Sequence, residues 1–168
     1  MIISLSQLEN HLWESANILR GLVDAADFKT YIFPLLFFKR ICDVWDEEYQ
    51  EIAEEMGDTD LVMFPESHRF QVTEGCHWLD VRETPVNVGT ALQRALREIE
   101  KANPDTLYGV FGDAQWTNKD RLTDALLKDL IEHFSQLPLG NKNFASDILG
   151  DAYEYLIKKF ADASKSLF

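Results

Sequence analysis

The side chains that could do chemistry are few and scattered along this sequence. Cys76 and His77 form a doublet of potential metal ligands, but adjacent residues rarely bind one ion well, and no CxxC or HxxxH spacing accompanies them. Glu47 and Glu51 would share one face of a helix, where paired carboxylates can act in acid–base catalysis, although solvated charge is the commoner role. The remaining histidines stand apart from any serine or cysteine motif that would supply a nucleophile. The sequence therefore predicts no catalytic and no metal-binding residue.

The glycines do not form a phosphate-binding loop. The stretch from Gly109 to Gly112 is only a GxxG pattern, it does not follow a convincing strand, and no GxxxxGK[ST] sequence is present. A loop turn is the favoured interpretation. The sequence therefore predicts no cofactor-binding residue in this chain.

The acidic residues are concentrated in one block. The 168 residues carry a net charge of −13, which argues against a free-standing nucleic-acid binder, because such proteins normally present a basic surface. The ordinary interpretation of the block is a solvated helix end, and the alternative is an acidic face that binds a basic partner or imitates DNA phosphates. That alternative would make the chain an independent acidic protein-interaction module or DNA mimic. Residues 41–68 contain ten acids and no lysine or arginine: Asp43, Asp46, Glu47, Glu48, Glu51, Glu54, Glu55, Asp58, Asp60 and Glu66.

Helical periodicity predicts the elements that position these side chains. Ser6 followed by Glu9 predicts a capping box at the start of the first helix. A second helix carries a broad apolar face from Phe28 to Tyr49, wide enough for a central core element. Pro34 lies inside it, and because proline removes one amide and clashes with the preceding turn, we expect a kink or a break into two helices near residue 30.

The rest of the chain predicts an all-α, bundle-like domain of five to six helices. Further helices are expected after Asn87, from about residue 120 to 136, and from near Ser146. Between residues 57 and 87 the helical period is lost. There the segments 69–73 and 77–82 could pair as a short two-stranded ribbon, or the stretch is a packed irregular connection.

The composition indicates a single domain in a reducing compartment. Cys42 and Cys76 could form a disulfide, but cytosolic thiols are normally kept reduced, so we expect free thiols and a cytoplasmic protein. The longest apolar run, residues 31–38, falls well short of the roughly 20 residues that a membrane span needs. The first five residues have no basic region of the signal-peptide kind.

Two segments carry a family resemblance. Residues 26–49 read ADFKTYIFPLLFFKRICDVWDEEY, and residues 147–160 read DILGDAYEYLIKKF. Together they resemble the helical N-terminal domain of the modification subunit (HsdM) of type I restriction–modification systems, an adenine-N6 DNA methyltransferase. The Phe64-Pro65 loop, the Trp78 region, the LYGVF loop at residues 107–111 and the LIEHFSQL helix end at residues 130–137 follow in the family's order.

The resemblance implies a non-catalytic arm of a larger enzyme. The family transfers a methyl group from S-adenosylmethionine to adenine N6, which requires a glycine-containing cofactor motif and an Asn-Pro-Pro-aromatic motif that holds the flipped base. Neither occurs here, since Asn103-Pro104-Asp105 departs from the second motif. Residues 1–168 are therefore expected to be one helical N-terminal domain that lacks the S-adenosylmethionine-binding catalytic domain.

The resemblance also implies partners. In the family, two modification subunits flank one specificity subunit, and their N-terminal domains help close the complex around DNA. The expected partners are thus the catalytic methyltransferase domain, the specificity subunit, the second modification subunit and DNA, with no membrane.

Particular residues follow from that assembly. Gly150, Tyr153, Glu154 and Tyr155 would lie on the helix that docks to the catalytic domain, with ordinary core packing as the alternative. Gly150 inside a helix costs roughly 1 kcal/mol relative to alanine, which favours a close helix approach at that position. If a surface of this chain touches DNA, the candidates are its basic residues Lys119, Arg121, Lys128 and Lys142, with solubilising charge as the alternative.

Overall fold

Among residues 2–56 and 65–143 the chain forms five α-helices and no strand. The structure is a computed structural model that describes residues 2–56 and 65–143, together with Gly150, Asp151, Glu154 and Lys158. The predicted all-α fold is confirmed. The helices are α1 (Leu5–Leu19), α2 (Phe28–Met56), α3 (Trp78–Arg82), α4 (Val88–Ala102) and α5 (Asp124–Ser135), and 3₁₀ turns occupy Ala25–Asp27 and Pro65–Ser67.

The N-cap of helix α1 lies two residues earlier than the sequence predicts. Its N-cap is Ser4, whose hydroxyl accepts from the backbone amide of Gln7 while the Gln7 side chain bonds back to the Ser4 amide. The expected capping box of Ser6 and Glu9 is therefore wrong. Both pairs have the required spacing of a hydroxyl and a carboxamide or carboxylate, so the local pattern is ambiguous.

Helix α2 is the central element, and it is continuous through Pro34. It spans 29 residues and packs against α1, α3 and α5. The predicted break near residue 30 does not occur. Proline removes only the bond to the carbonyl of Thr30, in the second turn of the helix, and the fully buried side chains of Ile32, Leu35 and Leu36 hold both sides of that position in the core.

The segment after Pro65 contains no two-stranded ribbon, so that expectation is wrong. Residues 78–82, predicted as its second strand, form α3, with His77 and Asp80 as a reciprocal capping box. The backbone of Gln71, in the first predicted strand, pairs with the side-chain amide of Asn103 through two bonds of 2.8 Å. Because a carboxamide supplies the same donor and acceptor as a neighbouring strand, the extended segment needs no second strand.

Helices α4 and α5 are joined end to end by one carboxylate. Asp124, the first residue of α5, accepts from the backbone amides of Asn87 and Val88 at the start of α4, at 3.0 Å each. Asn87 is the N-cap of α4, as predicted, but its own side chain makes no capping bond. Helix α5 begins at Asp124 behind the N-cap Thr123, four residues later than predicted.

The loop between α4 and α5 packs closely on α4. A Cβ added to Gly89 would lie 2.0 Å from the carbonyl oxygen of Trp116, so only glycine allows this approach. The predicted final helix, from near Ser146, falls mostly outside the described residues, although Gly150, Asp151, Glu154 and Lys158 are helical.

Candidate functional site

A group of charged side chains on α2 holds the segment that leads into the C-terminal part of the chain. We call it the α2 clamp: Lys39, Arg40, Asp43 and Glu47. Lys39, Asp43 and Glu47 are spaced four apart and therefore lie on one face of the helix. Lys39 and Arg40 are buried, which is rare for charged residues unless they are paired.

The cations of the α2 clamp bind carbonyl groups of residues 137–139. Lys39 Nζ donates to the Leu137 carbonyl at 3.0 Å and lies 2.5 Å from Asp43 Oδ2. Arg40 donates to the Leu139 carbonyl at 2.6 Å and also to the Asn141 side chain. These bonds satisfy backbone groups that the irregular segment cannot pair with itself.

The acids of the α2 clamp accept the amides of the same segment. The Leu139 amide donates to Asp43 at 2.8 Å. The amides of Asn141 and Lys142 donate to the two oxygens of Glu47 at 2.5 and 2.9 Å. Burial raises the pKa of Asp43, and the charge of Lys39 and the donated bonds oppose that rise. Residues 137–142 are thus fixed to α2 through both their carbonyls and their amides.

Gly140 allows this contact. A Cβ at this position would lie 2.3 Å from the Glu47 carboxyl carbon. The amide of Ile3 also donates to the Asn143 carbonyl at 2.8 Å, so the N-terminal segment holds the end of the same loop. The segment after α5 is therefore held in place as far as Asn143.

Sequence reasoning missed the α2 clamp. In the sequence, Asp43 and Glu47 belong to the acidic block, and Lys39 and Arg40 directly follow the apolar run at residues 31–38. The signal available was the pair Lys39-Arg40 directly after seven apolar residues of a core helix, Ile32 to Phe38, because cations at such a place need buried partners. The partners lie about 100 residues away in the chain, and no local pattern identifies them.

The acidic block is only partly a solvated helix end. Besides Asp43 and Glu47, Asp46 lies 2.8 Å from the ring of His77, and Glu48 accepts from the amide of Arg69 at 3.0 Å. Helix α2 therefore uses these acids as acceptors within the protein. This counts against an independent acidic face that imitates DNA, since such a face would leave its carboxylates free for a partner.

Two histidines far apart in sequence meet between α1 and α5. The rings of His11 and His133 are stacked with centroids 3.8 Å apart, and each Nε2 lies against the other residue's carbonyl oxygen, at 2.7 and 2.6 Å. Since a carbonyl only accepts, both rings carry their proton on Nε2. Burial, followed by the neighbouring His133, lowers the pKa of His11.

Glu14 completes a group with metal-ligand chemistry. One ligand atom from each of His11, Glu14 and His133 lies within 4.8 Å of the others. The ring planes are only 10° from parallel, so the two in-plane lone pairs do not converge on one point. Each Nε2 is already bonded to a carbonyl. The pair acts as a contact between helices, and we assign it no metal.

The cysteines and the Cys76-His77 doublet have structural surroundings. Cys42 and Cys76 are buried and free, as expected. Burial raises the pKa of both thiols, and Cys42 accepts the amide of Trp78 at 3.3 Å. The His77 ring accepts the amide of Leu79 at the start of α3 and contacts Asp46 through Nε2, so both ring nitrogens have partners other than Cys76.

The predicted DNA-facing residues are exposed, and the structure brings two of them together. Lys119 donates to the Asn87 side chain, and Lys128 donates to the Pro85 carbonyl at 2.6 Å. The amides of Val88 and Asn87 that donate to Asp124 are the main cause of its lowered pKa, and the ammonium groups of Lys119 and Lys128 lower that pKa further. Arg121 lies two residues beyond Lys119. Lys142, by contrast, lies 3.9 Å from Glu51 of α2.

The predicted docking residues are described only in part. Gly150 and Glu154 are helical and exposed, and a Cβ at Gly150 would meet none of the described residues within 4 Å. Tyr153 and Tyr155 lie outside the described residues. No helix in the described part of the chain combines the length and apolar character needed to cross a membrane.

Comparison with known proteins identifies the family. Residues 8–134 match the family described as HsdM N-terminal domain. The chain is also 24% identical over 185 residues to the type I restriction enzyme MjaIX methylase subunit of Methanocaldococcus jannaschii. That match covers 96% of this chain and 32% of the relative, so the chain spans about a third of that protein's length. The family match runs from within α1 to within α5 and includes all four residues of the α2 clamp, whereas the segment that they bind, residues 137–142, follows the matched region. This chain belongs to the HsdM N-terminal domain family.

Proposed function

We propose that this chain is the assembly and DNA-clamping domain of a type I restriction–modification modification subunit. It would act in the cytoplasm as one helical N-terminal domain, 1–168, and would itself be non-catalytic. The methyl transfer from S-adenosylmethionine to adenine N6 would belong to a separate catalytic domain. The family match and the methylase relative support this assignment.

The α2 clamp is the observation that carries the proposal. An assembly domain has to present its neighbouring domain in one orientation, and a flexible connection would lose that orientation. Here the first part of the segment that follows α5 is bonded to the central helix through the Leu137 and Leu139 carbonyls and the Asn141 amide. The partners would be the catalytic methyltransferase domain, the specificity subunit, a second modification subunit and DNA.

The charge of the chain supports action within a complex. A net charge of −13 disfavours binding of the free chain to DNA, because phosphate neutralisation supplies most non-specific affinity. Other subunits would have to supply most of the positive charge. Lys119, Arg121 and Lys128 are the residues of this chain that we propose face DNA in the assembly, and Gly150 and Glu154 would face the catalytic domain along with Tyr153 and Tyr155.

The test measures DNA binding by the 168-residue chain alone and with the matching specificity subunit and catalytic domain, at several salt concentrations. We expect no binding by the chain alone, and tighter, salt-sensitive binding when it joins the complex. Failure of the chain to join the complex, or competition with DNA for it, would overturn the proposal in favour of an acidic interaction protein.

A matched pair of variants tests the α2 clamp in that assembly. Glu47→Ala removes the acceptor of two loop amides, whereas Glu54→Ala removes an exposed carboxylate of the same helix. We expect Glu47→Ala to weaken association with the catalytic domain at a temperature where both variants remain folded by circular dichroism. Equal association of the two variants would show that the clamp does not orient the assembly.

A further inference from the structure

A small hollow lies between α2 and the loop that follows α4. Phe37 and Arg40 line it from α2, and Arg69 and Phe70 line it from the segment before α3. Leu107 and Val110 close it from the loop. We call it the arginine hollow. It has a volume of about 190 Å³ and is open to solvent on one side.

The size of the arginine hollow limits what it can bind. Pockets for cofactors and drug-sized ligands measure about 300–1,000 Å³. A hollow of about 190 Å³ is below that range and fits one large side chain. Single buried side chains of this kind anchor many protein interfaces, where they fill a pocket on the partner.

The charge of the arginine hollow selects an anion. The Arg69 guanidinium lies over the Phe70 ring, 5.2 Å from its centroid, and makes no ion pair with any other described residue. Burial lowers the pKa of Arg40, the charge of Glu47 opposes that lowering, and the nearby charge of Arg69 adds to it. The guanidinium of Arg40 is already bonded to the Leu139 carbonyl and the Asn141 side chain. The exposed Arg69 is therefore the group that can form strong paired bonds with a carboxylate or phosphate.

The walls of the arginine hollow distinguish between those two anions. Apart from the two arginines, its walls are apolar and are supplied by phenylalanine, isoleucine, leucine and valine side chains. A DNA duplex presents phosphates on a convex polar backbone and offers nothing to fill an apolar hollow. A protein segment can offer both an apolar side chain and an adjacent carboxylate.

We propose that the arginine hollow docks a segment of a partner protein in which a large apolar side chain enters the hollow and a neighbouring carboxylate binds Arg69. This goes beyond the proposed function, because it assigns a surface and a recognition chemistry that the family match does not supply.

A fragment that combines both features tests the proposal. N-acetylphenylalanine as its carboxylate is titrated into the ¹⁵N-labelled chain and followed by amide chemical shifts. N-acetylphenylalanine amide is the matched neutral ligand, and inorganic phosphate is the matched anion without an apolar group. Arg69→Ala is the test variant, and Arg20→Ala is the matched control, because it removes another exposed arginine that lies over an aromatic ring, that of Trp13.

We expect saturable shifts at Phe70 and Val110 with the carboxylate, and about tenfold weaker binding for the amide ligand or for Arg69→Ala, since a charge-assisted bond is lost. Arg20→Ala should bind like the unchanged protein. Absent shifts, or equal affinity of the carboxylate, the amide and Arg69→Ala, would overturn the proposal. Saturable binding of phosphate but not of the fragment would also overturn it, in favour of a nucleic-acid backbone.

Discussion

At the residue scale, the acidic side chains of α2 act as hydrogen-bond acceptors for distant backbone amides. Asp43, Glu47 and Glu48 accept from residues 139, 141–142 and 69 respectively. A charged acceptor strengthens such bonds relative to a neutral one. The same residues that make the chain acidic therefore order its irregular segments, and charge alone is a poor guide to what they do.

Glu47→Ala should destabilise the protein by about 1–2 kcal/mol, because two loop amides lose a charged acceptor at a partly exposed site. The measurement is the free energy of unfolding in urea. Glu54→Ala, an exposed acid on the same helix, should change it by less than about 0.5 kcal/mol. A loss of equal size in both variants would attribute the effect to helix charge and not to the α2 clamp.

The histidine pair predicts a pH dependence of stability. Because folding lowers the pKa of His11 from the ordinary value of 6.5, the unfolded chain binds a proton more readily. Above that pH both states are neutral and stability is unaffected. As the pH falls below it, toward the lowered folded pKa, the free energy of unfolding should decrease.

His11→Gln tests this, because a glutamine amide can still donate to the His133 carbonyl but does not titrate. Urea unfolding at pH 7.5 and 5.5 should show a smaller loss of stability in the variant than in the unchanged protein. Because His11 and His133 are stacked, the comparison reports on this histidine pair as a unit. An unchanged difference between the two pH values would refute the role of His11.

At the element scale, helices are ordered by contacts between their ends as well as by their apolar faces. The N-terminus of α4 receives its cap from Asp124 of α5, whereas α1 and α5 carry their own caps in Ser4 and Thr123. Helix N-termini leave several amides without an internal partner, so a carboxylate from a neighbouring helix fixes the position of one helix relative to the other.

Asp124→Ala should therefore loosen the start of α4. Hydrogen exchange at the amides of residues 87–90 should become faster, because two of the donors lose their acceptor. Asp129→Ala, an exposed acid within α5, is the matched control and should leave exchange at those amides unchanged. Faster exchange throughout the protein would indicate global destabilisation and contradict a local cap.

At the scale of the whole molecule, one continuous core joins all five helices. Phe134 is fully buried in α5, and its ring contacts both His11 of α1 and Trp78 of α3, with centroids 6.5 Å apart in each case. The segment held by the α2 clamp, residues 137–142, is attached to this core through Leu137 and Leu139, which are themselves buried. The segment and the helices should therefore unfold together.

Phe134→Ala should lower the free energy of unfolding by about 3–5 kcal/mol, because it leaves a cavity where three helices meet. Far-ultraviolet circular dichroism and tryptophan fluorescence should report the same transition midpoint in urea. Separate midpoints would show that α1, α3 and α5 do not form a single cooperative unit.

The helical class, the approximate bounds of α2, α4 and α5, and the family resemblance were predictable from the amino-acid sequence. Apolar side chains at helical spacing, and their order along the chain, are local information. The expected break at Pro34 and the expected strand at residues 77–82 are wrong, because buried neighbours hold α2 on both sides of Pro34 and the His77–Asp80 capping box begins a helix at Trp78.

The α2 clamp, the stacking of His11 on His133 and the arginine hollow are visible only in the folded chain. Each joins groups from segments distant in sequence, such as Arg40 with Leu139. Hydrogen bonds and burial of this kind depend on which surfaces meet, and the spacing of residues within one helix carries no record of its partner. The chain's acids and bases could therefore be counted from the sequence, whereas their roles required the fold.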